Sequence, residues 1–360
     1  MKVLLTGHDG YIGAVMTRFL TRAGHDVTGL DTYFYEDCSF GSESRGIPVL
    51  RKDIREIEVE DLRGYDAVIH LAALSNDPLG CLDEQCTLDI NYLGSVRLAR
   101  AAKTAGVARF LFASSCSLYG AAGDDMLAED AAFNPITAYG RSKVLVEGDV
   151  SRMADAAFSP VFLRNATAYG VSPRLRADVV VNNLVGVAYT TGEVVVHSDG
   201  TPWRPLVHVD DISRAFLAVL HAPRAVIHNQ AFNVGSTKEN YRVRDIVDMV
   251  REVVPGSRVR YLEGGGPDPR CYRVNCDKLW KAVPGFKTEW TVRRGVEDLY
   301  EAYHRRSLTT EMFSRYFRLA CIQAGLQSGR LDSTLRWQNA AAAAALHATA
   351  VGRPTASFGL

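Results

Sequence analysis

The chain has 360 residues, of which 47% are hydrophobic and 23% are charged, as in a globular protein with one large domain or two interlocked ones. Its formal charge is zero, so it has no general positive field that would favour nucleic acid or an anionic membrane as a partner. The sequence has no apolar run near ~20 residues and no secretory signal, which predicts a cytoplasmic protein. Its cysteines lack paired spacing, which predicts free thiols.

Short apolar runs alternate with amphipathic segments over residues 1–170. The runs are apolar on both faces, as buried parallel strands require. They predict strands at residues 3–5, 27–30, 67–72, 110–113 and 160–163. Apolar residues at helical spacing predict helices at residues 11–23, 91–105 and 138–153. This alternation indicates an α/β protein with a doubly wound parallel sheet of Rossmann type, whose ligands bind at the carboxyl ends of the strands.

The pattern loosens after residue 170 and predicts a smaller α/β lobe that binds substrate at residues 171–305, with strands that can interleave with the first domain. Its predicted helices span residues 179–189, 212–220, 243–253 and 292–304. Its predicted strands span residues 194–196, 206–209, 232–234 and 258–262. Amphipathic spacing at 311–337 predicts a helical C-terminal extension over 306–337. An alanine-rich tail, 338–360, is weakly patterned and is expected to be a frayed helix or disordered.

A glycine-rich turn separates the first predicted strand from the first helix. Gly7, Gly10 and Gly13 form the pattern G-x-x-G-x-x-G. Glycine permits a tight turn and close approach of a pyrophosphate, and the helix N-terminus supplies unpaired N–H groups. A purely structural turn is the alternative. Asp31 ends the second strand, where a carboxylate accepts hydrogen bonds from ribose hydroxyls and repels a 2′-phosphate, which favours NAD over NADP.

Four side chains suited to proton transfer follow in order. Ser114 and Ser115 come just after the strand at 110–113, and Tyr139 and Lys143 are four residues apart on one helix face. Lowering a tyrosine pKa by ~3 units requires roughly 4 kcal/mol of preferential phenolate stabilisation. A lysine ammonium one turn away and a nicotinamide ring are suited to supply it. An isolated Tyr-x-x-x-Lys is usually a surface pair, but here the glycine turn and the acidic strand end precede it, which favours an active site.

The segments TGHDGYIG, HLAALS, SSCSLYG and YGRSK, together with Asp31, resemble the extended short-chain dehydrogenase/reductases. Within these enzymes the chain is most similar to the NAD-dependent sugar-nucleotide epimerase/dehydratase family, over about residues 1–305. The resemblance implies Ser115, Tyr139 and Lys143 as catalytic residues, with Tyr139 as the base. It also implies a nucleotide-linked sugar as substrate, and a homodimer formed through the helices at 91–105 and 138–153.

The resemblance extends to binding residues. Together with the glycine turn, it implies that NAD contacts Gly7, Gly10, Tyr11, Ile12, Gly13, Asp31, Asp53, Ile54, Leu71, Ala72, Ala73, Ser75, Asn91, Ser114, Tyr139 and Lys143. The implied substrate contacts are Ser75, Ser115, Cys116, Tyr139, Asn182, Arg204 and Arg270. Asn91 opens the predicted helix at 91–105 and is expected to steady the active-site helix. For Arg204 and Arg270 a structural ion pair is the alternative role. No metal site is expected.

The residues after Ser115 bear on the reaction type. Sugar-nucleotide 4,6-dehydratases carry an Asp-Glu pair there, whereas this chain has Cys116 and Ser117. A neutral hydroxyl replaces a carboxylate base poorly, which disfavours ordinary 4,6-dehydration. Cys116 is either an unusual acid or a small buried thiol.

These features leave a ranked set of functions. The leading expectation is a 4-epimerase that acts through a transient keto sugar. A C4 dehydrogenase or ketoreductase and a Cys116-assisted dehydratase are the alternative enzymes. A dinucleotide-sensing regulator is the non-enzymatic alternative. The presence of Ser115, Tyr139 and Lys143 argues against the regulator, because a sensor needs no catalytic residues.

Overall fold

A computed structural model describes residues 1–41, 46–75, 83–262 and 270–338. The predictions for the tail at 339–360 lie outside the described residues. In chain order, the described strands are β1 (Lys2–Thr6), β2 (Asp26–Asp31), β3 (Val49–Arg51), β4 (Ala67–His70), β5 (Arg109–Ser115), β6 (Ala121–Leu127), β7 (Ser159–Asn165), β8 (Thr167–Tyr169), β9 (Glu193–Val196), β10 (Trp203–His208), β11 (Gln230–Val234), β12 (Asn240–Arg242), β13 (Arg258–Tyr261) and β14 (Cys271–Val274). The described α-helices are α1 (Tyr11–Arg22), α2 (Glu84–Leu88), α3 (Ser95–Thr104), α4 (Ala138–Ser151), α5 (Val180–Thr191), α6 (Val209–His221), α7 (Arg224–Ile227), α8 (Val243–Val253), α9 (Asp277–Ala282), α10 (Val292–Arg305), α11 (Thr310–Ser314) and α12 (Arg318–Gln327).

The largest sheet has seven strands in the order β11-β7-β5-β4-β1-β2-β3. Every neighbouring pair in it is parallel. The sheet order reverses direction between β1 and β4, as in a doubly wound fold, so the predicted Rossmann-type class is confirmed. Strand β3 was not predicted, because it has three residues and only partial burial.

Both faces of this sheet are covered, which explains the continuous apolar runs. Successive residues of β1 alternate between two cores, with Val3 and Leu5 in one and Leu4 in the other. Helices α1 and α6 supply side chains to the first core, and α3 and α4 supply them to the second. No helix among the described residues combines the length and apolar character needed to cross a bilayer.

The smaller lobe is built mainly from α5, α8 and α10, which share a third core. Three small sheets belong to this half, in the orders β12-β10-β8, β13-β9 and β14-β6. Strand β11 follows these elements in the chain yet pairs with β7 in the large sheet. The chain therefore returns to the first sheet after the predicted boundary at residue 170.

The helix predicted at 91–105 begins earlier than expected. A helical stretch starts with α2, continues through a π-helical segment (Asp89–Gly94), and ends with α3. Asp83 provides the N-cap, because its side chain accepts a hydrogen bond from the Cys86 N–H at 2.7 Å. The prediction that Asn91 opens this helix is therefore wrong; Asn91 lies inside the π-helical segment, which turns it inwards.

The C-terminal extension is helical only in part. Helices α11 and α12 are followed by Gly329, whose φ of +68° stops helical continuation, and by a bridge between Leu331 and Trp337. The prediction of one helical segment up to residue 337 is corrected accordingly. Ile322, Leu331 and Leu335 pack into the same core as α3 and α4, so the extension lies against the half of the molecule that contains the seven-stranded sheet.

Helix α4 is fixed to the sheet by a buried ion pair. Arg164 on β7 donates from Nε to Glu147 Oε1 at 3.0 Å and from Nη2 to Glu147 Oε2 at 2.7 Å. Ser114 on β5 donates to Glu147 Oε1 at 2.6 Å. Both charged side chains are buried, with 5% and 7% side-chain exposure. The helix that carries Tyr139 is therefore tied to two strands through one carboxylate.

Replacement of Glu147 by alanine tests this constraint. The variant leaves the Arg164 guanidinium buried without its partner, so we expect the free energy of unfolding to fall by about 3–5 kcal/mol. Urea denaturation measures this loss. Glu301→Ala, which removes an exposed partner of Arg305, is the control and should cost less than about 1 kcal/mol. Equal losses in the two variants would contradict the assignment.

Candidate active site

A cavity of about 700 Å³ lies at the carboxyl ends of the parallel strands. The predicted cofactor residues that line it are Gly7, Gly10, Tyr11, Ile12, Gly13, Asp31, Asp53, Ile54, Leu71, Ala72, Ala73, Ser75, Ser114, Tyr139 and Lys143. The predicted substrate residues that line it are Ser75, Ser115, Tyr139, Arg204 and Arg270. The sheet thus brings segments from both halves of the chain to one cleft, as parallel topology requires.

The glycine turn has no room for side chains. A β-carbon on Gly7 would lie 2.7 Å from the Ala72 nitrogen, and one on Gly13 would lie 2.0 Å from the Gly7 oxygen. Gly7 also has a φ of +73°, which favours glycine. Helix α1 starts at Tyr11 without a side-chain cap or an acidic residue in its first turn. The residues of its first turn line the cavity, so the turn fits the phosphates of a dinucleotide.

The carboxylate at the end of β2 is held in place by backbone donors. Asp31 Oδ2 accepts from the Asp9 N–H at 3.0 Å, and Oδ1 accepts from the Tyr33 N–H at 2.8 Å. Burial raises the pKa of Asp31. Asp31 lines the cavity beside the glycine turn, which is where a ribose hydroxyl of a bound dinucleotide would need an acceptor.

A buried polar network supports the loop after β4. Ser95 Oγ donates to the Asn91 carbonyl at 2.6 Å, so His70 Nε2 donates to Ser95 and His70 Nδ1 accepts from Thr6 Oγ1. Burial lowers the pKa of His70 to about 3, which keeps the ring neutral. The Asn91 side chain pairs with Leu74 through both backbone groups, at 2.8 and 3.0 Å.

These contacts correct the predicted role of Asn91. Its side chain is 1% exposed and does not line the cavity, so a direct contact with cofactor is wrong. Asn91 instead holds Leu74, which lies in the segment 71–75 that lines the cavity.

Tyr139 and Lys143 lie in the first two turns of α4. The helix begins at Ala138, because Thr137 Oγ1 caps the Gly140 N–H at 3.1 Å. Lys143 Nζ lies 5.4 Å from the centre of the Tyr139 ring and donates to the Ala113 carbonyl at 2.8 Å. Burial lowers the pKa of Lys143 to about 7. The ammonium is therefore held near the phenol in a setting where its charge is poorly solvated.

Ser115 completes the group at the end of β5. Its hydroxyl caps a short 3-10 turn by accepting from the Ser117 N–H at 3.1 Å, and it lies 3.0 Å from Ser117 Oγ. Both serine side chains line the cavity. A phenol, an ammonium and a hydroxyl therefore share one cleft with the glycine turn.

Cys116 does not contact this cavity, and its prediction as a substrate residue is corrected. The thiol is fully buried and donates to the Arg164 carbonyl at 3.2 Å. Burial raises its pKa, which opposes thiolate formation. Of the two roles considered for Cys116, an unusual acid or a small buried thiol, the structure agrees with the buried thiol.

Asn182 is also corrected. It is fully buried outside the cavity. Its Oδ1 accepts from the Gly170 N–H at 2.9 Å, and its Nδ2 donates to the Arg176 carbonyl at 3.0 Å and to the Tyr11 hydroxyl at 3.2 Å. The next residue, Asn183, lines the cavity. One position along a helix rotates a side chain by about 100°, which separates these two roles.

Arg204 and Arg270 lie together at the lobe side of the cleft. Arg204 Nη1 donates to the Trp203 carbonyl at 2.9 Å and to the Arg270 carbonyl. Both side chains line the cavity. Guanidinium groups recognise phosphate by paired hydrogen bonds, so this side of the cleft suits an anionic ligand.

Sequence reasoning missed several residues that line the cleft. Arg176 binds Asp178 at 2.8 and 2.9 Å and donates to Ser75 Oγ at 3.1 Å. The polar run that contains Arg176 and Asp178 was a usable signal, because charged residues close to a predicted strand end favour a site. Tyr35 and Arg318 also line the cleft. Arg318 had no such signal, since it comes from a distant helix.

The cleft defines a dinucleotide-binding enzyme of the short-chain dehydrogenase/reductase type. A family model described as the NAD dependent epimerase/dehydratase family matches residues 3–235. The chain belongs to this NAD-dependent family.

Curated relatives and a solved structure agree with this membership. The UDP-glucose 4-epimerase of Azospirillum brasilense is 30% identical over 279 residues, which cover 70% of this chain and 77% of that protein. The UDP-glucose 4-epimerase of Corynebacterium glutamicum is 29% identical over 272 residues, which cover 70% and 80%. The structure of MoeE5 in complex with UDP-glucuronic acid and NAD is 29% identical, with a TM-score of 0.75, and covers 86% of this chain and 100% of MoeE5.

The burial of Lys143 predicts a pH dependence of stability. Its pKa is about 7 in the folded protein against the usual 10.5, so between these values the unfolded chain binds more protons and stability rises with pH. From about pH 7 to about pH 9, the unfolding free energy of the parent should rise relative to Lys143→Met by up to about 1.4 kcal/mol per pH unit. Urea denaturation of NAD-free protein measures this difference.

Lys281→Met, at an exposed position of α9, is the control for this experiment and should run parallel to the parent at every pH. If the unfolding free energy of Lys143→Met also ran parallel to that of the parent at every pH, the lowered pKa of Lys143 would be contradicted.

Proposed function

We propose that this protein is a sugar-nucleotide 4-epimerase that uses NAD and acts through a transient keto sugar. The observation that carries the proposal is the meeting of Ser115, Tyr139 and Lys143 in the cleft that contains the glycine turn. The names of the relatives, UDP-glucose 4-epimerases of two bacteria, support the same reaction. The MoeE5 complex with a UDP-sugar and NAD supports a nucleotide-linked sugar as substrate.

Tyr139 is the proposed base and acid. NAD bound along the glycine turn supplies a hydride acceptor at its nicotinamide ring. The Tyr139 phenolate takes the proton of a sugar hydroxyl, while the Ser115 hydroxyl donates a hydrogen bond to the same oxygen. Lys143, 5.4 Å from the Tyr139 ring centre, stabilises the phenolate when charged. With NAD bound, the hydride taken from the sugar carbon would be available for return to its other face, and Tyr139 would then give the proton back to the sugar oxygen and become a phenolate again.

The anionic part of the substrate is proposed to bind at the lobe side. Arg204 and Arg270 offer guanidinium donors there, and the Asn183 side chain is close enough to the cleft to add an amide. Binding of the diphosphate by these groups leaves the sugar free to present either face. A 4-epimerase requires such rotation, because the hydride leaves one face of the carbon and returns to the other.

Among the alternative reactions, dehydration has less support. Dehydration through Cys116 conflicts with a thiol that is fully buried and bonded to the Arg164 carbonyl. Ser117 lines the cavity instead, and a neutral hydroxyl is a weak base for removing a carbon-bound proton. Net oxidation or reduction at C4 uses the same three residues and is separated from epimerisation by the products.

Tyr139→Phe tests the catalytic assignment. Without the phenol oxygen, interconversion of UDP-glucose and UDP-galactose should fall by about 10³-fold or more, because proton transfer loses its positioned base. Bound NAD, measured after denaturing the purified protein, should stay at the parental level. Tyr300→Phe, on α10 outside the cleft, should keep full activity. Parental turnover in Tyr139→Phe would refute the role.

The products of the parent enzyme decide between reaction types in the same assay. Epimerisation leaves the mass of the sugar nucleotide unchanged and yields no net NADH. Oxidation is detected as NADH absorbance, and dehydration as the loss of one water by mass spectrometry. Either result would replace the 4-epimerase by the corresponding alternative.

We further propose a homodimer formed by the helical stretch 84–104 and α4. Leu93 and Leu145 on these helices are 50% and 42% exposed, which suits an apolar contact between two copies. Leu145→Glu should weaken self-association by about 30-fold or more, because an unpaired carboxylate is costly to bury. Sedimentation velocity measures this change. Val49→Glu, at an exposed position on β3, should leave it unaltered, and an unaltered Leu145→Glu would contradict the interface.

A further inference from the structure

The C-terminal extension contributes a buried cation to the cleft. Arg318, the first residue of α12, is 1% exposed and lines the cavity. Its Nη2 donates to the Arg174 carbonyl at 2.9 Å, and its guanidinium carbon lies 4.1 Å from the centre of the Tyr35 ring. The stacking and this hydrogen bond fix the plane of the guanidinium.

Two donors at this place have no partner among the described residues. Arg318 Nη1 has no hydrogen-bond partner there, and the Arg318 guanidinium forms no ion pair with a carboxylate of those residues. The Tyr35 hydroxyl is also buried without a partner. Buried donors are normally paired, and an uncompensated buried charge is especially costly. Two such groups in contact, both lining one cavity, indicate that a ligand supplies the missing acceptors.

Neighbouring cations differ from Arg318 because their charges are matched. Arg174 pairs with Asp9 at 2.7 Å, and Arg176 binds both oxygens of Asp178. Asp9 Oδ1 and both oxygens of Asp178 are therefore engaged, whereas Asp9 Oδ2 has no hydrogen-bond partner in the part of the chain that the structure describes. Arg318 differs in that it forms no ion pair with a carboxylate of this part of the chain, so its charge is available to an anionic ligand.

Its position identifies the part of the ligand that it meets. Asp9, the partner of Arg174, belongs to the glycine turn, and the Tyr11 carbonyl accepts from Ser172 Oγ at 2.7 Å. The segment that holds Arg318 is thus bonded directly to the turn that fits dinucleotide phosphates. Arg204 and Arg270, proposed for the substrate diphosphate, come instead from the lobe side of the cleft.

We propose that Arg318 and Tyr35 donate hydrogen bonds to the pyrophosphate of the bound dinucleotide, so that the C-terminal extension completes the cofactor site. The anion removes the charge mismatch of Arg318, and the guanidinium adds paired donors to the N–H groups of α1. This inference does not depend on which reaction the enzyme catalyses.

A thiol offers the rival explanation for Arg318. Cys38 lies beside it, and the hydrogen bond from Cys321, with the sulfur atoms 2.8 Å apart, lowers the pKa of Cys38 to about 7. If Arg318 only stabilised that thiolate, its replacement would not change the affinity for NAD. The variants below separate the two roles.

Isothermal titration of NAD-free protein with NAD, adenosine and UDP tests the proposal. Arg318→Met should weaken NAD binding by about 10- to 100-fold, which is the effect of losing a charged hydrogen bond. Tyr35→Phe should weaken NAD binding by about 3- to 10-fold, as expected for the loss of a neutral donor. Adenosine lacks phosphate, and UDP probes the substrate diphosphate, so the affinity for each should stay within about twofold of the parent.

Two controls accompany these variants. Arg315→Met removes an exposed arginine of the same extension, paired with Glu311, and Cys38→Ser removes the rival partner. Both should bind NAD like the parent. If Arg318→Met does not fold, Tyr35→Phe carries the test alone, because it removes a hydroxyl without a partner.

Three results would overturn the proposal. Parental NAD affinity in Tyr35→Phe and in folded Arg318→Met would exclude phosphate binding. An equal loss of affinity for adenosine would indicate that these residues only support the fold. A loss of affinity for UDP greater than that for NAD would assign them to the substrate diphosphate.

Discussion

The buried pair of Glu147 and Arg164 is the interaction on which the geometry of the cleft depends. It joins α4 to β7, and the hydrogen bond from Ser114 adds β5 to the same carboxylate. Because the charges are shielded from water and satisfied by each other, the helix cannot rotate without exposing one of them. Tyr139 and Lys143 lie on this helix and are therefore held in place with it. The sheet thus fixes the side chains proposed to react through a carboxylate that has no proposed part in the chemistry.

A neutral chain can still build a cleft for anions if it buries cations selectively. Lys143 loses solvation near the phenol, and Arg318 loses it near the glycine turn. Each cation is tolerated because the fold provides a partner or a ligand is expected to provide one. Six lysine and arginine side chains line the cleft against three carboxylates, so its lining has an excess of cationic groups although the formal charge of the molecule is zero.

Sequence periodicity predicted the sheet class and the glycine turn, because these depend on spacing and on glycine stereochemistry. It also predicted that Tyr139 and Lys143 share a face. It failed for Asn91 and Asn182, whose amide groups bind backbone inside the protein rather than lining the cavity. Residue type alone does not distinguish these roles, since the direction of a side chain depends on helix phase and on a π-helical turn. The place of Arg318 in the cleft could not be predicted, because its surroundings arise from contacts between segments that are distant in the sequence.

The extension also contacts the cleft beside Thr32 and Asp53, where the cofactor is expected to place its adenosine. Arg55, beside the cavity residue Asp53, donates to the carbonyls of Thr334 and Leu335, and the Trp337 indole donates to the Thr32 carbonyl. Thr32 and Trp337 are separated by 305 positions in the chain. During synthesis, domains form in order from the amino end. The contacts between these segments can form only after residues 334–337 have left the ribosome, so the groove built from the first strands is completed by a much later part of the chain.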